Sequence, residues 1–369
     1  MTRVVVASDK FKGSLTSNQV AVAVREGVRR ADPDVTVDAV PVADGGDGTL
    51  AAAVAAGFEL VAVTVTGPTG SRVRSGFARR GDTAVVELAD ASGLVRLPGG
   101  RFAPMTATSR GTGELMAAAI DNGCTRVILG IGGSASTDGG TGLVRAMGAT
   151  ISEESLELTA LRERIAGVEV VVACDVDNPL TGPSGAAAVY GPQKGADTAQ
   201  VAQLDAALGR WADLVARETG RDLRDVPGAG AAGGVGFAAV ALLGAELRPG
   251  IGLMLDLVRF HEQLQGADLV VTGEGALDEQ TLHGKAVAGV AAAARAAGVL
   301  VVAVCGTNRL DRHRLEEAGI AAAYALTDLE PDVRRCIGEP IPLLRQLGEK
   351  IAAGHLPRST MTATERGIA

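Results

Sequence analysis

The sequence predicts an α/β protein: a Rossmann/flavodoxin-like parallel-sheet domain interrupted by an inserted second α/β domain with a mixed sheet. Three observations predict it. Apolar, β-branched runs alternate with alanine-rich helical stretches at both ends of the chain. In the middle that rhythm breaks into two strand-like runs around the turn "RRGD". The 369 residues also exceed what one compact core usually serves.

Taken in order, "RVVVASD" from Arg3 reads as a strand and "SNQVAVAVREGVRRA" as a helix with Ser17 as its N-cap. "VTVDAVPVAD" from Val35 is a second strand, "DGTLAAAVAA" from Asp47 a helix, and "FELVAVTVTG" from Phe58 a third strand. This βαβαβ order marks a parallel sheet. "SRVRSGFARRGDTAVVELADASG" from Ser71 then predicts an antiparallel hairpin in a different sheet. "RVILG" from Arg126 and "VEVVVA" from Val168 are short buried strands, Glu153 and Glu154 open a charged helical run, and "DLVVTG" from Asp268 is another strand. From Ala286 the first rhythm resumes, with a helix to Gly298, the strand "VLVVAVCG", then "AAAYALTD" and a final helix near 341–351. The expected domains are residues 1–67 plus 286–369, and residues 68–285 inserted, with the active site in the cleft between them. The tail after His355 lacks periodicity and is expected to fray.

Composition narrows the function classes. The chain is 47% hydrophobic but only 2% aromatic, so its core is built from Ala, Val and Leu. Thirty-five basic against forty-three acidic residues give a net charge of -8, which disfavours nucleic acid and anionic membrane as partners. An anionic ligand would therefore need a divalent cation or a local basic cluster. Cys124, Cys174, Cys305 and Cys336 follow no zinc or disulfide spacing. No leader pattern opens the chain and no apolar run reaches membrane length. The expectation is a soluble, cytoplasmic monomer or homodimer in a reducing setting, acting on a small molecule.

The stretch "IGGSASTDGGTG", residues 131–142, holds five glycines among small oxygens and joins a strand to a helix. Bare backbone, hydroxyls and a helix N-terminus together suit an anion, so phosphate is the working ligand. Other clusters also stand at the ends of apolar runs. "ASDKFKGSLT" carries Asp9, Lys10 and Lys12, an acid to activate a hydroxyl or bind metal beside cations that can neutralise phosphate. "PVADGGDGT" carries Asp44 and Asp47. "ACDVDNPLTGPSGA" carries Asp175, Asp177 and Asn178, oxygen ligands that suit Mg²⁺. "VVTGEGALDEQTLHGK" carries Glu274, Asp278 and Lys285. "TSRGTGEL" sets Ser109 and Arg110 before a helix, where a guanidinium can grip a carboxylate. The four histidines form no metal or nucleophile pattern.

No P-loop signature occurs. "GAGAAG" at Gly228 matches G-x-G-x-x-G without a preceding strand, whereas "GIGGSA" at Gly130 follows one, so an NAD-dependent oxidoreductase is a competing reading. A non-catalytic metabolite-binding protein is the other.

Together, "SDKFKGSL", "PVADGGDGT", "TSRGTGEL", "GIGGSASTDGG", "ACDVDNPLTGPSGA", "GPQKGA", "VPGAGAAGGVGFA", "GAELRPGI" and "VTGEGALDEQTLHGK" resemble the type I glycerate kinases, in family order from the first strand to Lys285. The resemblance implies ATP- and Mg²⁺-dependent phosphorylation of D-glycerate, usually to 2-phosphoglycerate, on a two-domain α/β fold. Lys10, Thr137 and Ala276 depart from the usual Ser, Asn and Arg, and the segment 149–170 is shorter than usual. On this reading Gly132, Gly133, Ser134 and Thr137 hold ATP phosphates, and Asp175 holds Mg²⁺ with Glu274 or Asp138. Arg110, with Ser109, fixes the glycerate carboxylate, and Asp44 belongs to the substrate site. Asp278 or Asp9 orients the attacking hydroxyl, while Lys10 or Lys285 neutralises the transferring group.

Overall fold

A computed structural model describes residues 2–282 and 286–357. Its strands, in chain order, are β1 (Arg3–Ser8), β2 (Thr36–Ala39), β3 (Glu59–Thr66), β4 (Arg72–Arg80), β5 (Thr83–Glu87), β6 (Arg126–Gly130), β7 (Thr150–Ile151), β8 (Leu156–Glu157), β9 (Glu169–Ala173), β10 (Glu246–Arg248), β11 (Leu269–Leu277), β12 (Leu300–Asn308) and β13 (Ala322–Ala325). The chain divides into two units, Met1–Val42 with Val258–Ala369, and Ala43–Leu257.

The first unit holds a five-stranded, all-parallel sheet in the order β13-β12-β11-β1-β2. Its central strands are covered on both faces, which is why they read as unbroken apolar runs: Val4, Val5, Val6, Val270 and Val302 are fully buried. The helix Ser17–Ala31 covers it with Val20, Val24 and Val28, beside Leu344, Leu347 and Ile351 of the helix Pro340–His355. The N-cap of the first helix is Thr16, one residue before the expected Ser17. Thr16 Oγ1 accepts from Gln19 N at 3.2 Å while Gln19 Oε1 accepts from Thr16 N at 2.9 Å, a reciprocal cap that Ser17 is placed too late to make.

The second unit holds a six-stranded mixed sheet, β10-β9-β6-β5-β4-β3. The strands from β10 to β5 run parallel, and β4 and β3 are antiparallel. The expected two-domain α/β architecture, one parallel sheet and one mixed, is the one observed. Two strands change sides relative to the expected boundaries. β3 pairs with β4 through a tight turn closed by Gly67 N to Ser71 O at 2.6 Å, so it belongs to the mixed sheet. β11 lies between β1 and β12 and belongs to the parallel one. Glu153 and Glu154 do not open a helix. They sit in the turn of the β7–β8 hairpin, closed by Ser152 N to Ser155 O at 2.9 Å.

No helix among the described residues is long and apolar enough to cross a membrane. All four cysteines are unpaired. His283, Lys285 and the tail beyond residue 357 lie outside the described residues.

Candidate functional site

Because β5, β6, β9 and β10 are parallel neighbours, their carboxyl ends share one edge of the mixed sheet. Open α/β sheets bind ligands there. Glu87 ends β5, and the segments following β6, β9 and β10 carry residues 131–142, Asp175 and Gly250. The loop around Asp44 runs across the same edge: a Cβ on Gly132 would lie 2.5 Å from Gly46 Cα, so glycine is required for these two loops to touch.

Within residues 131–142 the helix that follows, Thr141–Ala146, is only six residues long. Its first donors are already engaged by Asp138. Asp138 Oδ2 accepts from Ser109 N and Ser109 Oγ, both at 2.9 Å, from Gly142 N at 3.2 Å and from Thr108 Oγ1 at 3.3 Å, while Oδ1 accepts from Gly140 N at 3.2 Å. Ser109 is fully buried, and its Oγ also accepts from Leu143 N at 3.0 Å. Asp138 and Ser109 thus spend their bonding capacity on bracing two helix starts, which corrects the simple picture of an open helix N-terminus. Arg110, one residue on, is half exposed and its Nε lies 3.0 Å from Glu114 Oε1.

Lys194 ends the short turn Pro192–Lys194 and is 2% exposed. Its Nζ donates to Ser134 Oγ at 2.9 Å and to the Ser136 carbonyl at 2.5 Å. Burial pulls this ammonium down to about 8, against the opposing pull of Asp138. The hydroxyls of Ser136 and Thr137 are buried and have no partner among the described residues. On the other side of the loop, Ala232, Gly233 and Gly234 form a left-handed turn with φ of 53, 69 and 92° at the start of the helix Ala231–Leu243. Gly139 N donates to Gly233 O at 2.9 Å, and a Cβ on Gly233 would meet the Ser136 carbonyl at 2.1 Å. The "GAGAAG" run is therefore a buttress under the loop rather than a dinucleotide fingerprint.

Asp175 Oδ1 accepts from Gly250 N at 2.8 Å. Although Asp175 is exposed as a residue, partial burial of its carboxyl, with the charge of Asp44 adding to it, pushes it up to about 6. Asn178 serves its own loop, accepting from Tyr190 Oη at 2.6 Å. Glu87, 8% exposed, accepts from Gly48 N at 3.2 Å and Leu50 N at 2.9 Å and so caps the helix Thr49–Ala55. Burial holds its carboxyl above the ordinary value, aided by Asp47 and Asp90.

In the first unit, Ser8 of β1 is in register with Gly273 of β11, so Asp9 follows the end of β1 while Glu274, paired with Cys305, lies inside the longer β11. Asp9 N donates to Gly273 O at 2.8 Å, and Lys10 N donates to Asp9 Oδ1 at 2.7 Å. Asp278 starts the turn Glu279–Leu282, accepting from Gln280 N at 2.9 Å while its own N donates to Thr281 Oγ1 at 3.0 Å. Asp9 and Lys10 thus follow the carboxyl end of β1, Glu274 lies within β11, and Asp278 follows the carboxyl end of β11, all on the same side of the parallel sheet. Gly132, Gly133, Ser134, Thr137, Asp44 and Asp175 are gathered at the other sheet's edge. Sequence reading missed Lys194 and Glu87. Lys194 sits in "GPQKGA" between turn formers, and nothing in that spacing marks it as buried.

Two buried hydroxyls with no partner among the described residues, on a loop held by a buried ammonium, fit a phosphate group. Asp44 and Asp175, two acids that repel one another, fit a divalent cation shared with phosphate oxygens. Among the described residues no group of three or more acids, histidines or cysteines could close a cation cage alone.

The profile of the glycerate kinase family matches residues 4–355. A glycerate kinase from Halalkalibacterium halodurans is 40% identical, covering 95% of this chain and 98% of the relative. The glycerate 2-kinase of Escherichia coli is also 40% identical, covering 88% of this chain and 90% of the relative. A solved structure from Salmonella typhimurium LT2, described as a candidate glycerate kinase 2, superposes with a TM-score of 0.82 at 39% identity, covering 95% of this chain and 97% of that one. With the resemblance of motifs now joined by a match along nearly the whole chain, the protein belongs to the glycerate kinase family.

Proposed function

We propose that the protein transfers the terminal phosphoryl group of ATP to the 2-hydroxyl of D-glycerate, giving 2-phosphoglycerate and ADP, with Mg²⁺ and in a reducing cytoplasm. The observation that carries the nucleotide part is the pair of buried hydroxyls, Ser136 and Thr137, that have no partner among the described residues, on the glycine loop at the carboxyl end of β6.

In this reading the phosphates lie against Gly132, Gly133, Ser134 and Thr137, where hydroxyl donors stabilise the charge that spreads over the transferring oxygens. Mg²⁺, when bound, would neutralise phosphate charge; Asp175, with Asp44 near it, would hold it, and Asp138 serves as the brace of the loop. Arg110 grips the glycerate carboxylate, positioned by the Ser109–Asp138 bonds behind it. Asp278 or Asp9 orients the acceptor hydroxyl and takes its proton, and Lys10, with Lys285, offsets the developing charge. The binding half of the reading rests on the second unit and the proton-handling half on the first.

The test is a ³¹P NMR time course with ATP, Mg²⁺ and D-glycerate, alongside samples lacking metal or glycerate. A phosphomonoester signal coupled to a single CH proton, growing only in the complete mixture, is expected. Coupling to CH₂ protons would move the reaction to the 3-hydroxyl, and absence of both phosphomonoester and ADP would overturn the reading.

A further inference from the structure

We propose that Lys194 is a positioning residue of the nucleotide-phosphate site: its buried ammonium holds the Ser134 hydroxyl as a dedicated donor toward phosphate. The inference rests on the reading that residues 131–142 take nucleotide phosphates, and it assigns a residue that this reading leaves out.

The chemistry of the donor decides the direction of the bond. An ammonium carries three protons and no lone pair, so Ser134 Oγ, 2.9 Å from Lys194 Nζ, must accept. The serine's own proton is then turned away from Lys194 and is available to a ligand oxygen. The backbone of Ser134 is held as well, by an antiparallel bridge to Gly93, so the hydroxyl is aimed by two independent restraints. Lys194 also donates to the Ser136 carbonyl at 2.5 Å, which ties it to the residue whose hydroxyl is buried without a partner among the described residues.

The charge of Lys194 points the same way. Both of its acceptors are neutral oxygens, and Asp138, which contributes field, already accepts five donors of its own. A buried cation served only by neutral acceptors is unfavourable until an anion arrives. That is the electrostatic setting a phosphate site needs, and the lowered affinity of Lys194 for its proton agrees with it. If Lys194 served packing alone, an apolar chain of the same length would replace it without affecting ligands.

The experiment measures Mg²⁺–ADP affinity by isothermal titration calorimetry, together with KM for ATP and for glycerate and the Tm, in the full chain and in Ser134→Ala, Lys194→Met and the double variant. Each single variant is expected to weaken ADP roughly tenfold, as for loss of a hydrogen bond to a charged ligand. The double variant is expected to be no weaker than the weaker single one, because both changes remove one device. KM for glycerate stays within about twofold, a split that a merely structural role would not give. Ser134→Ala with unchanged ADP affinity overturns the proposal whatever Lys194→Met does, and so do losses that multiply in the double variant. Thr137→Ala separates this proposal from its parent. If Thr137→Ala weakens ADP and Ser134→Ala does not, only the role of Lys194 fails. If the unmodified chain binds no ADP, or neither variant weakens it, the phosphate reading of the loop fails.

Discussion

Asp138→Ala tests whether this carboxylate braces the loop or binds metal. The side chain accepts from three backbone N–H groups, those of Ser109, Gly140 and Gly142, and from the hydroxyls of Ser109 and Thr108. The hydroxyls can turn to other acceptors, but the three N–H groups cannot. Each buried N–H left unpaired costs about 1–3 kcal/mol, so the substitution should destabilise by at least about 3 kcal/mol. For a unit of this size that lowers the Tm by roughly 6 °C or more, at about 2–4 °C per kcal/mol. Asp138→Asn should cost less, because its remaining oxygen can serve the Oδ2 donors while only Gly140 N faces the amide nitrogen. Scanning calorimetry of the metal-free proteins gives the order wild type, Asn, Ala. An Ala variant melting within about 2 °C of wild type, with only its Mg²⁺ dependence altered, would refute the bracing argument.

Arg110→Ala should change stability by no more than about 0.5 kcal/mol, since its pair with Glu114 is solvent-exposed, yet raise KM for glycerate at least about tenfold. An unchanged KM would remove Arg110 from the substrate site. Gly233→Ala places a methyl group 2.1 Å from the Ser136 carbonyl at a φ of +69° and should destabilise by about 2–4 kcal/mol in urea unfolding. Wild-type stability would deny the close approach. Folding favours the protonated form of Glu87, whose carboxyl is held above its ordinary 4.5. Its contribution to stability is therefore complete below about pH 4.5 and is lost as pH rises through its folded value. Glu87→Gln should flatten that part of the stability profile; a variant tracking wild type across the acid range would contradict this.

What the sequence revealed follows from what kind of signal each feature leaves. β6 was legible to the residue, because "RVILG" is a buried parallel strand ending in a glycine loop. The assignment of β3 to the parallel sheet failed because its alternation fits either sheet, and only its hairpin to β4 distinguishes them. β11 carried no such ambiguity as a strand, but its sheet depends on pairing with β1, far away in sequence. In the site, the Gly, Ser and Asp of residues 131–142 were visible as a loop, yet the division of labour inside it was not. Asp138 and Ser134 are both small and polar on the page, and only three-dimensional partners show one facing helix starts and the other facing a buried ammonium. The burial of Lys194, inside the motif "GPQKGA", is not legible for the opposite reason: residue type argues for solvent, and burial is a property of the neighbours.

The placement of β1 bears on how the chain comes off the ribosome. Ser8 meets Gly273, a partner 265 positions later, whereas every strand of the mixed sheet lies within Ala43–Leu257. The mixed sheet can therefore fold during synthesis, while the apolar strand Val4–Ala7 waits with only β2 for a neighbour. Because loop-closure entropy grows only logarithmically with length, the long separation adds little to the final free energy and acts mainly as a delay. During that delay β1 keeps one unpaired edge, the kind of edge that can pair with another chain, and a chain interrupted after Leu257 would keep every strand of the mixed sheet while leaving β1 half paired.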